Sequence, residues 1–347
     1  MNYWLPSLFL LIFSTFTFAV EGESEPAAAE QAETPPLSSS ATGSLLPESG
    51  RSPKESVMIK MLSDDAFKPE VQRLPQLMEK LRIENFAADN PYVLLPHRPN
   101  YILPIAWYSH PGEHTIQGTS TDPTDVTQTE SYDHLEAIFQ FSIKYPIAKD
   151  VLGKMSRLDM AYTNRSFWQV YSTEISRPFR ETNHEPELIL SWQTQNKYID
   201  YFALALNHQS NGQSSMLSRS WNRVIFETGA VFSNGILHTK VWWRIPEPTK
   251  SNPLSAHGDD NPDITHYMGR GELQYIFHSG GNTVSVLLRN NLKSSSNKGA
   301  IEIGYNFPIH KRIQGYFQYF NGYGDSMIDY DRNQQRIAVG IKLSDWL

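Results

Sequence analysis

From about residue 97 to the C-terminus, apolar and polar side chains alternate one for one in stretch after stretch. In "LEAIFQFSIK", Leu135, Ala137, Phe139, Phe141 and Ile143 oppose Glu136, Gln140, Ser142 and Lys144. In "ILHTKVWWRI", Leu237, Val241, Trp243 and Ile245 oppose His238, Lys240 and Arg244. "IEIGYNF" sets Ile301, Ile303, Tyr305 and Phe307 against Glu302, Gly304 and Asn306. Near the end, Ile337, Val339, Ile341 and Leu343 oppose Arg336, Gly340 and Lys342. A period of two is the strand period. A soluble sandwich also alternates, so the composition of the polar face decides. Here it carries Glu, Lys, Arg, His and Gln on strands long enough to cross a bilayer, with aromatics toward the strand ends, which is the pattern of apolar residues toward lipid and polar residues inside a barrel. Turn pairs fall between the stretches: Asn211-Gly212, Asn234-Gly235, Gly280-Gly281 and Asn321-Gly322. The expected fold is all-β, a transmembrane antiparallel β-barrel. About twelve strands start near residues 98, 134, 156, 184, 197, 219, 236, 263, 281, 297, 311 and 330.

Composition narrows the function classes. Cysteine is absent from the 347 residues, which excludes disulfides and thiolate metal sites. The net charge of −7 offers no basic surface for nucleic acid. At the N-terminus, an apolar run from Leu8 to Phe18 ends in Thr17-Phe18-Ala19, a small-residue cleavage pattern. Residues 1–19 therefore read as a signal peptide. Residues 20–57, rich in Glu, Pro, Ala and Ser, read as a disordered linker with too little apolar surface to offset ordering. Residues 58–96 read as an extension with a short helical pattern at Leu74, Leu77, Leu81 and Phe86. Residues 97–347 read as the barrel domain.

The stretch "NHQSNGQSSMLSRSWNR" joins two of these strands. Phe202, Leu204 and Leu206 share a face, and the same parity carries His208 and Ser210. On the following strand, Ser218, Ser220 and Asn222 share a face with Val224 and Phe226, while Trp221 and Ile225 break the pattern. A short loop makes the two strands neighbours, so His208, Ser210 and Asn222 are expected together on the lipid side near the rim. Polar groups facing lipid are costly unless they pair and serve a purpose. Ser210 has the character of a nucleophile, His208 of its base and Asn222 of the acceptor that holds the imidazole. The Gly212 backbone N–H is placed to serve an oxyanion. The bland alternative is a water-satisfied rim loop.

Together these residues resemble the outer-membrane phospholipase A family. "NHQSNG" is followed ten residues after Gly212 by the Asn of "SRSWNR"; "RPFRETNHEPEL" at 177–188, "DDNPDITHYMG" at 259–269, "NGYGDSMIDYDRNQQRIAVGI" at 321–341 and "NPYVLLPHRPNYIL" look like the same family. The resemblance spans roughly residues 90–347. It implies a twelve-stranded barrel of the bacterial outer membrane that hydrolyses membrane phospholipids at either acyl position, and lysophospholipids too. It implies His208, Ser210 and Asn222 as a triad, a calcium requirement and an active homodimer. Calcium ligands implied in this way are the Ser218 hydroxyl and the Gln213 carbonyl of one subunit, with the Ser176 carbonyl of the second; Asp260 resembles the carboxylate that holds calcium in the monomeric form. Hard oxygen donors suit that ion. Asn164, on a strand whose Met160, Tyr162 and Trp168 point outward, stands where relatives commonly place Gln, and is expected to face a second barrel.

Two other function classes compete. One is a passive channel, although inward-facing Glu136, Lys144, Arg223, Glu227 and Arg244 would fill much of a narrow lumen. The other is a structural barrel that anchors the N-terminal tail.

Overall fold

Twelve long strands pair in sequence order and close on themselves in this computed structural model. The structure describes residues 83–344, apart from 85, 88, 91, 118–125, 174–178, 195, 197, 253, 254, 256, 311 and 312. The signal-peptide and linker assignments, and most of the extension, lie outside the described residues. The barrel strands are β2 (Asn100–Tyr108), β5 (Leu135–Lys149), β6 (Ser156–Trp168), β7 (Phe179–Gln193), β8 (Tyr201–Ser210), β9 (Ser220–Val231), β10 (Gly235–Arg244), β11 (Gly271–Ser279), β12 (Asn282–Asn290), β13 (Gly299–His310), β14 (Ile313–Tyr323) and β15 (Asn333–Ser344). All neighbours are antiparallel, and β15 returns to pair with β2. Among the described residues, three short strands are additional to this ring. β1 (Leu95–Pro96) adds to β5, and β3 (Glu113–Gln117) pairs with β4 (Val126–Ser131) in a separate hairpin. The stretch expected to start a strand near residue 263 divides instead: a short helix, α1 (Ile264–Met268), precedes β11. Gly269, at a φ of +69° that favours glycine, follows the helix's last residue.

The two faces of the wall differ as period two requires. Phe141, Trp243, Val241, Met160, Leu204 and Ile337 are exposed on the outer face. Glu136, Arg223, Glu227, Lys240 and Arg336 are buried inside. Trp221 and Ile225, which break the alternation of β9, also point inward. They pack with Trp242, Ile264, Met268, Met327 and Tyr330 into an apolar cluster within the barrel. The parity exceptions thus mark where loop residues fold back into the lumen.

The remaining interior is held by charge networks. Arg336 is fully buried; it donates to Asp325 at 2.9 Å through both Nε and Nη2, and to Gln318 at 2.8 Å. Asp325 also accepts from Arg165 at 3.0 Å and from the Tyr108 hydroxyl at 2.8 Å. Arg180 bridges Glu136 at 2.9 Å and Asp329 at 2.5 Å, which ties the 324–332 loop into the barrel. A third network joins Arg98 and Arg223 to Glu185, and Arg98 and His97 to Glu187. Buried pairs of this kind add little net stability against an apolar isostere, but removing one partner leaves an uncompensated charge. The described part of the N-terminal extension joins the same scheme: Glu84 accepts from Lys144 at 2.7 Å and from Arg157 at 3.0 Å. An interior cavity of about 140 Å³ is lined by charged groups including Arg98, Arg165, Glu185, Arg223, Lys240 and Glu272, with room for a few waters.

Candidate active site

β8 and β9 are joined by residues 211–219, which form a tight turn and one 3-10 turn at Ser215–Leu217. Asn211 organises it. Its Oδ1 accepts from the backbone N–H of Arg219 at 2.9 Å and its Nδ2 donates to the Leu217 carbonyl at 2.8 Å. Gly212 adopts φ +64°, a left-handed conformation that favours glycine. A Cβ there would lie 3.5 Å from the His184 ring.

The register places His208 directly opposite Asn222, and Ser210 opposite Ser220. His208 Nδ1 lies 2.8 Å from Asn222 Oδ1. Ser210 lies two residues further along β8, with the same parity and at the rim. Its register partner on β7 is His184, whose Nδ1 meets the Tyr162 hydroxyl at 2.7 Å. Exposed Leu204, Leu206 and Phe226 continue the same outer face toward the membrane interior. No hydrogen bond joins Ser210 to His208. Such bonds often close only around substrate.

Behind Asn222 stands Glu247, in the loop that follows β10. Asn222 Nδ2 donates to Glu247 Oε1 at 3.1 Å. Burial pushes the Glu247 carboxyl above its ordinary value, against the lowering effect of the Asn222 hydrogen bond. The same loop delivers Asp260. Its Oδ2 accepts from Ser218 at 2.7 Å and from Ser220 at 3.0 Å, and Lys250 is ion-paired to its Oδ1. Burial alone would raise the Asp260 carboxyl, but the bonds from Lys250, Ser218 and Ser220 outweigh it and hold Asp260 below the ordinary value. Asn261 anchors the loop through its Oδ1, which accepts from the Ser220 backbone N–H at 2.9 Å.

The expected residues therefore fall into two groups. His208, Ser210, Gly212 and Asn222 share one rim, and Ser218 and Asp260 meet beside it. Gln213 is exposed in the same turn. Ser176 lies outside the described residues. Asn164 is half-buried and accepts from the Ser166 hydroxyl at 3.0 Å. Glu247, Lys250 and His184 carry no sequence expectation, and Ser220, expected on this face, gains a bond to Asp260 that parity does not show. For Glu247 a signal existed: a lone carboxylate between two prolines in "RIPEPTK", directly after a strand.

A family model described as Phospholipase A1 matches residues 77–343. The chain belongs to this family. Phospholipase A1 of Escherichia coli strain K12 is 34% identical to it over 267 residues, which is 74% of this chain and 83% of that protein. Phospholipase A1 of Salmonella typhimurium is 34% identical over 261 residues, with the same coverage. Among solved structures, an active-site mutant of outer membrane phospholipase A from Escherichia coli matches with a TM-score of 0.62 and 33% identity, over 75% of this chain and 95% of that one. The Salmonella typhi outer membrane phospholipase, a dimer with bound calcium, matches with a TM-score of 0.61 and 33% identity, over 74% of this chain and 94% of that one. Like these family members, the protein is an integral β-barrel of the outer membrane.

Proposed function

We propose that the protein is a calcium-dependent phospholipase that hydrolyses acyl esters of membrane phospholipids and lysophospholipids at both positions, and that it works as a homodimer. The observation that carries this reading is the 2.8 Å contact of His208 Nδ1 with Asn222 Oδ1 on the lipid-facing rim, with Ser210 two residues along the same face. Asn222 Oδ1 accepts the Nδ1–H of His208, which leaves Nε2 unprotonated. His208 Nε2 takes the Ser210 hydroxyl proton as Ser210 Oγ attacks the ester carbonyl. The Gly212 backbone N–H serves the oxyanion. His208 then returns the proton to the leaving alcohol, and water deacylates Ser210 by the same route. The solved relative from Escherichia coli is an active-site mutant in which an asparagine is replaced by alanine, which supports a role for an amide in this family.

The donor set around Asp260 fits calcium. One carboxylate and the hydroxyls of Ser218 and Ser220 cluster there, all hard oxygen donors. In the dimer the Ser218 hydroxyl and the Gln213 carbonyl would hold the ion, with the Ser176 carbonyl of the partner subunit completing the set; Asp260, bonded to Ser218, would hold it in the monomeric form. When bound there, calcium would supply positive charge that stabilises the oxyanion. The solved Salmonella typhi relative combines a dimer with calcium, which supports both parts of this reading. A site completed by a second barrel also explains how a lipid-facing triad avoids constant attack on its own membrane. We further propose residues 1–19 as a signal peptide, 20–57 as a linker and 58–96 as an extension to the barrel at 97–347.

Fatty-acid release from phospholipid micelles, with calcium and with excess chelator, tests the reading. Release that needs calcium and rises with crosslinked dimer supports it. Full activity of a demonstrated monomer in chelator overturns the calcium and dimer assignments.

A further inference from the structure

We propose that Glu247 is a positioning residue for the hydrolysis: through the Asn222 amide it fixes which nitrogen of His208 carries the proton. The inference rests on the triad reading above.

An amide offers an oxygen at one end and an NH₂ group at the other, and it can sit either way round. Which end faces His208 decides the tautomer. If Oδ1 faces the ring, Nδ1 must be the donor and Nε2 is free to accept a proton. If Nδ2 faces the ring, Nδ1 must accept, the ring proton moves to Nε2, and His208 cannot serve as a base toward Ser210. A catalytic Asp has no such ambiguity, since both its oxygens accept. An Asn needs something behind it.

Glu247 supplies that. Its ionised carboxylate only accepts, so Asn222 Nδ2 must face it, as the 3.1 Å contact shows, and Asn222 Oδ1 is turned to His208 at 2.8 Å. The carboxylate also polarises the amide and strengthens Oδ1 as an acceptor when the imidazole becomes positive. The backbone holds Glu247 in place. The Ile245 N–H donates to the Asn222 carbonyl at 2.8 Å, which continues the β9–β10 pairing by one residue. Pro246 and Pro248 flank Glu247 and restrict its backbone to extended conformations. The Asp259 N–H closes the loop onto the Pro248 carbonyl at 2.8 Å.

Charged groups around Glu247 act in both directions. Asp259 and Asp260 disfavour its ionised form and Arg244 favours it. Burial first, then these carboxylates, raise the Glu247 carboxyl above its ordinary value against the lowering by Asn222 and Arg244. When Glu247 is protonated it can donate as well as accept, and the amide is free to turn. Activity should therefore fall as pH drops through the raised Glu247 value, with Arg244, Asp259, Asp260 and Lys250 unchanged in sequence.

The test is a set of four variants in detergent micelles with saturating calcium: Glu247→Ala, Glu247→Gln, Asn222→Asp and the double variant Glu247→Ala with Asn222→Asp. Heat-modified gel mobility checks that each barrel is folded. Glu247→Ala is expected to lower kcat about tenfold or more with KM little changed. Glu247→Gln should lower kcat less and remove the acid limb assigned to Glu247. Asn222→Asp should restore activity in the Glu247→Ala background, because Asp cannot be misoriented. Asn222→Asp alone, facing the Glu247 carboxylate, should be less active than the double variant. Nitrogen chemical shifts of His208 should show the Nδ1–H tautomer in the parent and mixed tautomers in Glu247→Ala. The proposal is overturned if Glu247→Ala keeps full kcat, if Asn222→Asp gives no rescue, or if the His208 tautomer does not change. Failure of the triad itself would show separately, as activity surviving in Ser210→Ala.

Discussion

Replacing Asn222 with Ala isolates the contribution of the amide. The substitution removes the acceptor 2.8 Å from His208 Nδ1 and leaves Ser210, Gly212 and the Asp260 cluster in place. During attack the imidazole carries positive charge, so the lost bond is charge-assisted and contributes about 1.5–3 kcal/mol. At about 1.4 kcal/mol per tenfold, kcat should fall roughly 10- to 150-fold. Ser210→Ala removes the attacking atom and should cost far more, on the order of 10⁶ where a serine protease nucleophile is deleted. Several decades therefore separate the two variants. KM should change little, because Asn222 sits behind His208 and does not bind the acyl chain. Initial rates of fatty-acid release from mixed micelles at saturating calcium measure both values. An Asn222→Ala enzyme as inactive as Ser210→Ala, or one within twofold of the parent, would refute the orienting role.

Three further outcomes follow from the same geometry. Arg336→Ala should lower barrel stability in urea by about 2–4 kcal/mol, below the usual cost of breaking a buried pair because Asp325 keeps Arg165 and Tyr108; an unchanged midpoint would contradict the network. Lys250→Met should tighten calcium binding measured by calorimetry, since the ammonium competes for Asp260; in the parent, the depressed Asp260 keeps its charge below the ordinary carboxylate range and calcium binding is lost only as pH falls through that lowered value, whereas in Lys250→Met the loss should come at higher pH. Ser218→Phe should abolish the calcium response while heat-modified mobility remains that of a folded barrel.

The wall of the barrel was legible because lipid and lumen impose opposite demands on successive side chains. Glu136, Arg223, Glu227 and Arg244 point inward as their parity requires. The same rule placed His208 and Asn222 on one face, and a short loop made them neighbours. What alternation could not show is how loops return to the barrel. Trp221 and Ile225 break parity on β9 because α1 and the 324–332 loop fold in against them. Glu84 and Glu247 meet partners 60 and 25 residues away, and such contacts leave no period in the sequence; the Lys250–Asp260 pair forms within one irregular loop, which has no period either. The helical turn at Ile264–Met268 was hidden because five residues are too few to show a helical repeat.

The central claim is that Ser210 is the nucleophile of a lipid-facing triad. Covalent labelling with an alkyl sulfonyl fluoride, mapped by mass spectrometry of the folded barrel in micelles, tests it most directly. The account predicts one adduct, on Ser210, formed with loss of hydrolytic activity and greatly slowed in His208→Ala. Inactivation with the adduct on another residue, or continued hydrolysis by protein fully labelled at Ser210, would contradict it.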